Sequence, residues 1–101
     1  MITVIATIQL KPGCREAYLA RLQQLVPAVL HEPGCLKYQP LVDAQCVLDR
    51  LESNPDQVML LENWSSIGAL EDHLRAPHMQ AYRQDAQDWV ESVKLRVLES
   101  I

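Results

Sequence analysis

The sequence has no excess of positive charge: nine Lys and Arg stand against thirteen Asp and Glu, a net charge of -4. Without a basic field a chain is poorly suited to a phosphate backbone, so nucleic acid is not an expected partner. Cysteine is sparse too. Cys14, Cys35 and Cys46 are odd in number, widely spaced and include no CxxC pair. That argues against a disulfide framework or a zinc ribbon and makes the reducing cytoplasm the default compartment. No apolar run approaches the ~20 residues of a membrane span. The N-terminal MITVIATIQL lacks the basic start of a signal peptide. Repeats and low-complexity stretches are missing, as are GxGxxG, P-loop, GxSxG, HExxH and CxxCH signatures, which removes the usual nucleotide, serine-hydrolase, zinc-protease and c-type haem readings.

What remains is 101 residues, 49% of them hydrophobic. Residues 1–101 are expected to form a single domain whose one core buries roughly two-thirds of the unfolded chain's surface. Ile2 to Leu10 alternates apolar Ile2, Val4, Ala6, Ile8 and Leu10 against Thr3, Ile5, Thr7 and Gln9, a strand pattern ended by Lys11-Pro12-Gly13. From Cys14 to Leu30, Tyr18, Leu22, Leu25, Val26 and Val29 follow the 3.6 period of an amphipathic helix, with Pro27 expected to kink its last turn. His31-Glu32-Pro33-Gly34 stops it. Cys35 to Val42 is a second strand, placed at a sheet edge by Pro40. Asp43 to Gln57 is polar and irregular, with room for a short helical turn at Val47 to Leu51. Val58 to Trp64 is a nearly continuous apolar strand, hence central. A helix follows over Ile67 to Leu74, capped by Ser65 or Ser66. Another starts at Pro77 and runs to about Asp88, with Tyr82, Ala86 and Trp89 on one side. Val93, Leu95 and Val97 alternate with polar residues in a last strand.

The order β-α-β-β-α-α-β predicts an α+β fold, a split βαβ sheet of four antiparallel strands with helices on one face. The first and third strands, poor in charge, belong at its centre; Pro40 and the Lys94/Arg96 pair mark the edges. Helices can cover only one face, yet both sides of the third strand are apolar. A second copy packed sheet to sheet is the simplest cover, so a homodimer is expected.

Chemistry concentrates in Glu62, Asn63, Trp64, His73 and His78. Histidine is the natural base near neutral pH, and His73 sits beside the apolar side of its helix; the plainer alternative is a boundary histidine bonded to a carbonyl or to Glu62. A carboxylate on a central strand must be paired, hydrogen-bonded or protonated, so Glu62 is either a perturbed acid or the partner of Arg75, Arg96 or a serine amide. Trp64 reads as core or substrate platform, Tyr38 as ligand contact or edge cover, and Asn63 as pointing oppositely, toward a dimer interface. His78, after Pro77, reads as a helix-start or surface residue. His73 and His78 are separated by a proline break and His31 is remote, so no metal site is expected.

Gly34-Cys35-Leu36-Lys37-Tyr38, Leu61-Glu62-Asn63-Trp64-Ser65-Ser66, Ala69-Leu70-Glu71-Asp72-His73-Leu74 and Pro77-His78-Met79 together resemble the antibiotic biosynthesis monooxygenase domain family, especially its quinol-monooxygenase-like group. The resemblance spans nearly the whole chain. It implies a ferredoxin-like fold that dimerises through its sheets into an α+β barrel. It also implies oxidation of phenols, quinols or anthrones by O2 with no flavin, haem or metal, because the deprotonated substrate is itself the electron donor. Carried over by position, His73 is the base, Glu62 a second catalytic group that could fix its tautomer, and Trp64, Tyr38, Asn63 and His78 candidate substrate contacts. Relatives on this fold that degrade haem use an Asn, a Trp and a His where this chain has Ala6, His73 and Arg83, so haem degradation is disfavoured. The long 43–57 connection could act as a lid or reshape the entrance. Activity inferred from a fold is analogy; the alternatives are an isomerase or other proton-transfer enzyme acting on a small carbonyl compound, and a non-catalytic dimeric ligand-binding or stress-response module.

Overall fold

Strand β1 (Ile2–Leu10) buries every second residue from Ile2 to Leu10, as its alternation requires. In the computed structural model, which describes all residues from Met1 to Ile101, it is followed by α1 (Arg15–Leu30), β2 (Cys35–Leu41), β3 (Gln57–Trp64), α2 (Ile67–Arg75), α3 (Pro77–Ala86) and β4 (Val90–Glu99). The sheet order is β2-β3-β1-β4, antiparallel throughout. The first and third strands are central, and Pro40 and Lys94/Arg96 lie on the edges. The architecture is the expected ferredoxin-like α+β fold.

Helix α1 turns Tyr18, Leu22, Leu25 and Val29 onto the sheet. Pro27 does not stop it: the helix continues to Leu30, and the Pro27 carbonyl accepts a hydrogen bond from Nδ1 of His31 at 2.7 Å. Ser66 caps α2, its Oγ accepting from the Ala69 amide at 3.1 Å, which satisfies one of the orphan donors at the helix start. Pro77 occupies the first turn of α3, where its missing N–H costs nothing. That helix ends at Ala86, so Trp89 lies beyond it, its amide bonded to the Ala86 carbonyl.

One further expectation fails for a packing reason. Val47–Leu51 forms no helix: Val47, Leu48 and Leu51 are exposed, with no apolar surface to repay the ordering of a turn. The 43–57 connection is instead pinned at the far end of β1. Asp43 accepts the Asn54 amide, the Asn54 side chain donates to Gln9, and Asp56 accepts from the Leu10 and Gly13 amides.

On β3, Val58, Leu60, Glu62 and Trp64 face the helices and are buried, whereas Met59, Leu61 and Asn63 are half-buried on the open face. The pairing of β4 with β1 (Val93 with Ile8, Leu95 with Ala6, Val97 with Val4) sets those three residues on the helix side too. They remain about half exposed, because the helical layer does not extend over this edge.

Candidate active site

The cavity begins in that uncovered strip. It has a volume of about 350 Å³, within the range of small-ligand pockets. Val93 and Leu95 form its open side, Ala6, Ile8 and Leu60 its sheet floor, and Leu74, Met79 and Tyr82 its helical wall. Polar groups enter at four places: Tyr38, Glu62, His73 and Arg83. An apolar chamber with a few convergent polar groups is the expected form of a small-molecule site. A depression of similar volume over Asp43, Glu52, Ser53, Asn54 and Gln57 is lined by no hydrophobic residue and lacks that form. No residue of the 43–57 connection borders the His73 cavity, so within one chain it is no lid.

His73 is 1% exposed. Its ring is clamped between Trp64, centroids 4.6 Å apart, and Tyr38, edge-on at 5.5 Å. Nδ1 lies 2.8 Å from Oε2 of Glu32. A carboxylate can only accept, so Nδ1 carries the proton and Nε2 the lone pair. Nε2 has no protein partner, and no side-chain N or O in the molecule is both unpaired and shut off from solvent. Nε2 therefore reaches the accessible surface, which for this buried residue is the cavity it lines. Burial pushes the imidazole below its ordinary pKa, opposed by the Glu32 hydrogen bond and charge, and His78 and Arg83 push it further down.

Glu62 does not hold His73. Its Oε1 accepts the Trp64 indole N–H at 3.0 Å, because residues two apart on a strand share a face. Burial raises its pKa to about 7, against the lowering effect of that hydrogen bond and with a further push from Glu32. Near neutrality it is therefore partly a carboxylic acid able to donate. The Tyr38 hydroxyl, on the cavity wall, is held well above its ordinary range, chiefly by burial. Tyr82 shares a short buried hydroxyl contact with Tyr18.

The other sequence candidates separate. Trp64 is fully buried and outside the cavity lining; it backs the His73 ring instead of touching the chamber. Asn63 points to the opposite face, as alternation demands, and its amide donates to Oγ1 of Thr3 at 2.8 Å. His78 is not in the cavity lining either: its Nε2 lies 2.7 Å from the same Oε2 of Glu32. Glu32, which contacts His73, and Tyr82 and Arg83, which line the cavity, are the groups that the sequence did not single out as site residues. For Glu32 the signal lies in the strand register, not in the local sequence. Register places Cys35 opposite Trp64, so the Glu32-Pro33-Gly34 turn must lie beside Ser65 and the start of α2. Gly34 completes the contact with φ +82, its carbonyl accepting from the Ser65 amide at 2.9 Å.

The sequence profile of the antibiotic biosynthesis monooxygenase family matches residues 1–85. The chain belongs to that family. It is 40% identical to the probable quinol monooxygenase YgiN of Escherichia coli K12 over 101 residues, 98% of this chain and 97% of that one. In structure it is similar to the protein PA3566 of Pseudomonas aeruginosa, with TM-score 0.83 and 28% identity, covering 99% of this chain and 93% of the other. It also shares its fold with a putative antibiotic biosynthesis monooxygenase of Nitrosomonas europaea at TM-score 0.85 and 20% identity, covering 100% and 99%. No helix is long and apolar enough to cross a membrane.

Proposed function

We propose that this chain is a cofactor-independent monooxygenase that oxidises a quinol- or phenol-like aromatic with O2, using His73 as the base. The observation that carries the reading is the His73 ring: its Nδ1 proton is tied to Glu32 and its Nε2 lone pair opens on an apolar cavity. A neutral imidazole so oriented is ready to take a phenolic proton. Burial disfavours the resulting imidazolium, and the Glu32 carboxylate at 2.8 Å compensates, as a buried carboxylate does in a His-Asp pair. The phenolate hands one electron to O2, the two radicals combine at a ring carbon, and the hydroperoxide loses water to leave the quinone carbonyl. Electrons come from the substrate, so no flavin, haem or metal is required for them. Glu62 in its acid form and the Tyr38 hydroxyl are the donors available to the developing oxyanion. Similarity to a protein named as a probable quinol monooxygenase supports the substrate class.

The functional unit on this reading is one domain over residues 1–101, working as a homodimer in the cytoplasm. Half-buried Ile5, Met59 and Leu61 on the open sheet face favour a second copy there. The test is an oxygen electrode with menadiol or a naphthol, against boiled protein. Enzyme-dependent O2 uptake with quinone formation is expected. Absence of uptake, with deuterium from D2O entering a carbonyl substrate instead, would replace this reading with the proton-transfer one.

A further inference from the structure

His73 and His78 both direct a ring nitrogen at one oxygen of Glu32, at 2.8 and 2.7 Å. The three residues come from three places: Glu32 from the turn after α1, His73 from the end of α2 and His78 from the first turn of α3. Their donor atoms all lie within 4.8 Å of one another. Two imidazoles and a carboxylate, borderline nitrogen and hard oxygen, are a donor set for first-row divalent cations, Zn²⁺ foremost. Around a tetrahedral ion with bonds of about 2.0–2.1 Å, ligand atoms are spaced by roughly 3.3 Å. The two hydrogen-bonded spacings are shorter than that by little more than half an ångström, and the two imidazole nitrogens, within 4.8 Å of each other, would have to come to the same spacing by side-chain rotation. Glu32 is nearly buried and His73 is buried, whereas the His78 side chain is 32% exposed. The outer side of the cluster thus gives a path for the ion and a place for a water ligand, and the carboxylate offsets part of the charge.

We propose that Glu32, His73 and His78 form a divalent-cation site that takes Zn²⁺ through Oε2, Nδ1 and Nε2 in place of the two imidazole protons. No proton need leave the protein. Each neutral ring moves its proton to its other nitrogen, so His73 becomes Nδ1-ligated and carries its proton on Nε2. That nitrogen faces the cavity. The ion therefore converts the cavity-facing nitrogen from acceptor to donor. Loss of activity with Zn²⁺ rests on the reading of His73 as base; binding of the ion does not.

The experiment uses chelator-treated protein free of any histidine tag, titrated with Zn²⁺ by calorimetry and with Co²⁺ by its visible absorption, while ¹⁵N NMR of the histidine rings reports which nitrogen is protonated. One ion per chain is expected, with His73 passing from the Nδ1–H to the Nε2–H form. Glu32→Gln and His78→Ala should each weaken binding at least about tenfold, and His31→Ala, at an exposed histidine outside the cluster, should not. His78→Ala keeps the test valid if Glu32→Gln fails to fold. Absence of binding by the wild-type chain, or equal binding by His78→Ala, overturns the site. Zn²⁺ binding without loss of O2 uptake would leave the site standing and remove His73 as base.

Discussion

Glu62 ties the stability of the domain to pH in a way that can be measured without any substrate. The side chain is 4% exposed, on the helix side of a central strand, and burial lifts its pKa from 4.5 to about 7. Facing it are Glu32 from the turn after α1, Tyr38 and Cys35 on β2, Trp64 on its own strand, and Tyr82 on α3; His73 and Arg83 line the same cavity. Between pH 4.5 and about 7 the folded chain keeps a proton that the unfolded chain has lost. This group's contribution is therefore full below pH 4.5 and falls as pH rises through the window. Above the folded pKa it levels off. At about 1.4 kcal/mol per pH unit, the loss across that window is roughly 3 kcal/mol. Glu62→Gln keeps a carbonyl acceptor for the Trp64 indole but has no proton to lose. Urea unfolding followed by tryptophan fluorescence, on both chains at equal concentration from pH 4.5 to 8, should show the variant gaining roughly 3 kcal/mol on the wild type as pH rises. A difference that stays constant over the range would mean that Glu62 titrates as an exposed carboxyl, and the dry interior inferred around it would be wrong.

Trp64→Phe removes the only donor on Glu62 that lowers its pKa, so in the same titration the fall in stability should extend to higher pH than in the wild type. A Cβ at Gly34 would sit 2.7 Å from the Ala69 Cβ and 2.6 Å from the Ser65 Oγ, with φ at +82. Gly34→Ala should cost about 2–5 kcal/mol from left-handed backbone and overpacking together, whereas Gly13→Ala, also at positive φ but with nothing within 4 Å, should cost only about 1–2 kcal/mol in denaturant melts. Sedimentation equilibrium at micromolar concentration should return twice the 11.5 kDa chain mass; a single species at the chain mass would exclude the homodimer.

Most of the fold was legible because its signals are local. Alternation in β1 and β3, the 3.6 period of α1, the Ser66 cap and the prolines at Pro40 and Pro77 each act within a few residues, and together they fix the strand order. Where a neighbour decides, the sequence misled. Val47, Leu48 and Leu51 look apolar enough for a turn of helix but meet no surface, and Trp89 continues a helical period past the point where the chain turns into β4. The site was half legible. Alternation already separated Asn63 from Glu62 and Trp64. The partner of His73 was not visible, because Glu32 lies 41 residues away in a turn whose Pro and Gly speak for chain reversal. Nearby Glu62 offered a closer carboxylate in sequence, and strand geometry gave it to Trp64 instead. His78 is the helix-start residue that its place after Pro77 suggested, but that its ring meets the same carboxylate was equally invisible in the sequence.

The central claim is that Nε2 of His73 removes the proton that starts the reaction. The direct measurement is kcat for O2 uptake with menadiol at neutral pH in chelator-treated wild type and His73→Gln, after subtraction of uptake with boiled protein and with circular dichroism confirming that both are folded. The expected result is a fall of about 10²–10⁴-fold in the variant, largely in kcat. A folded His73→Gln chain that consumes O2 at the wild-type rate would contradict it.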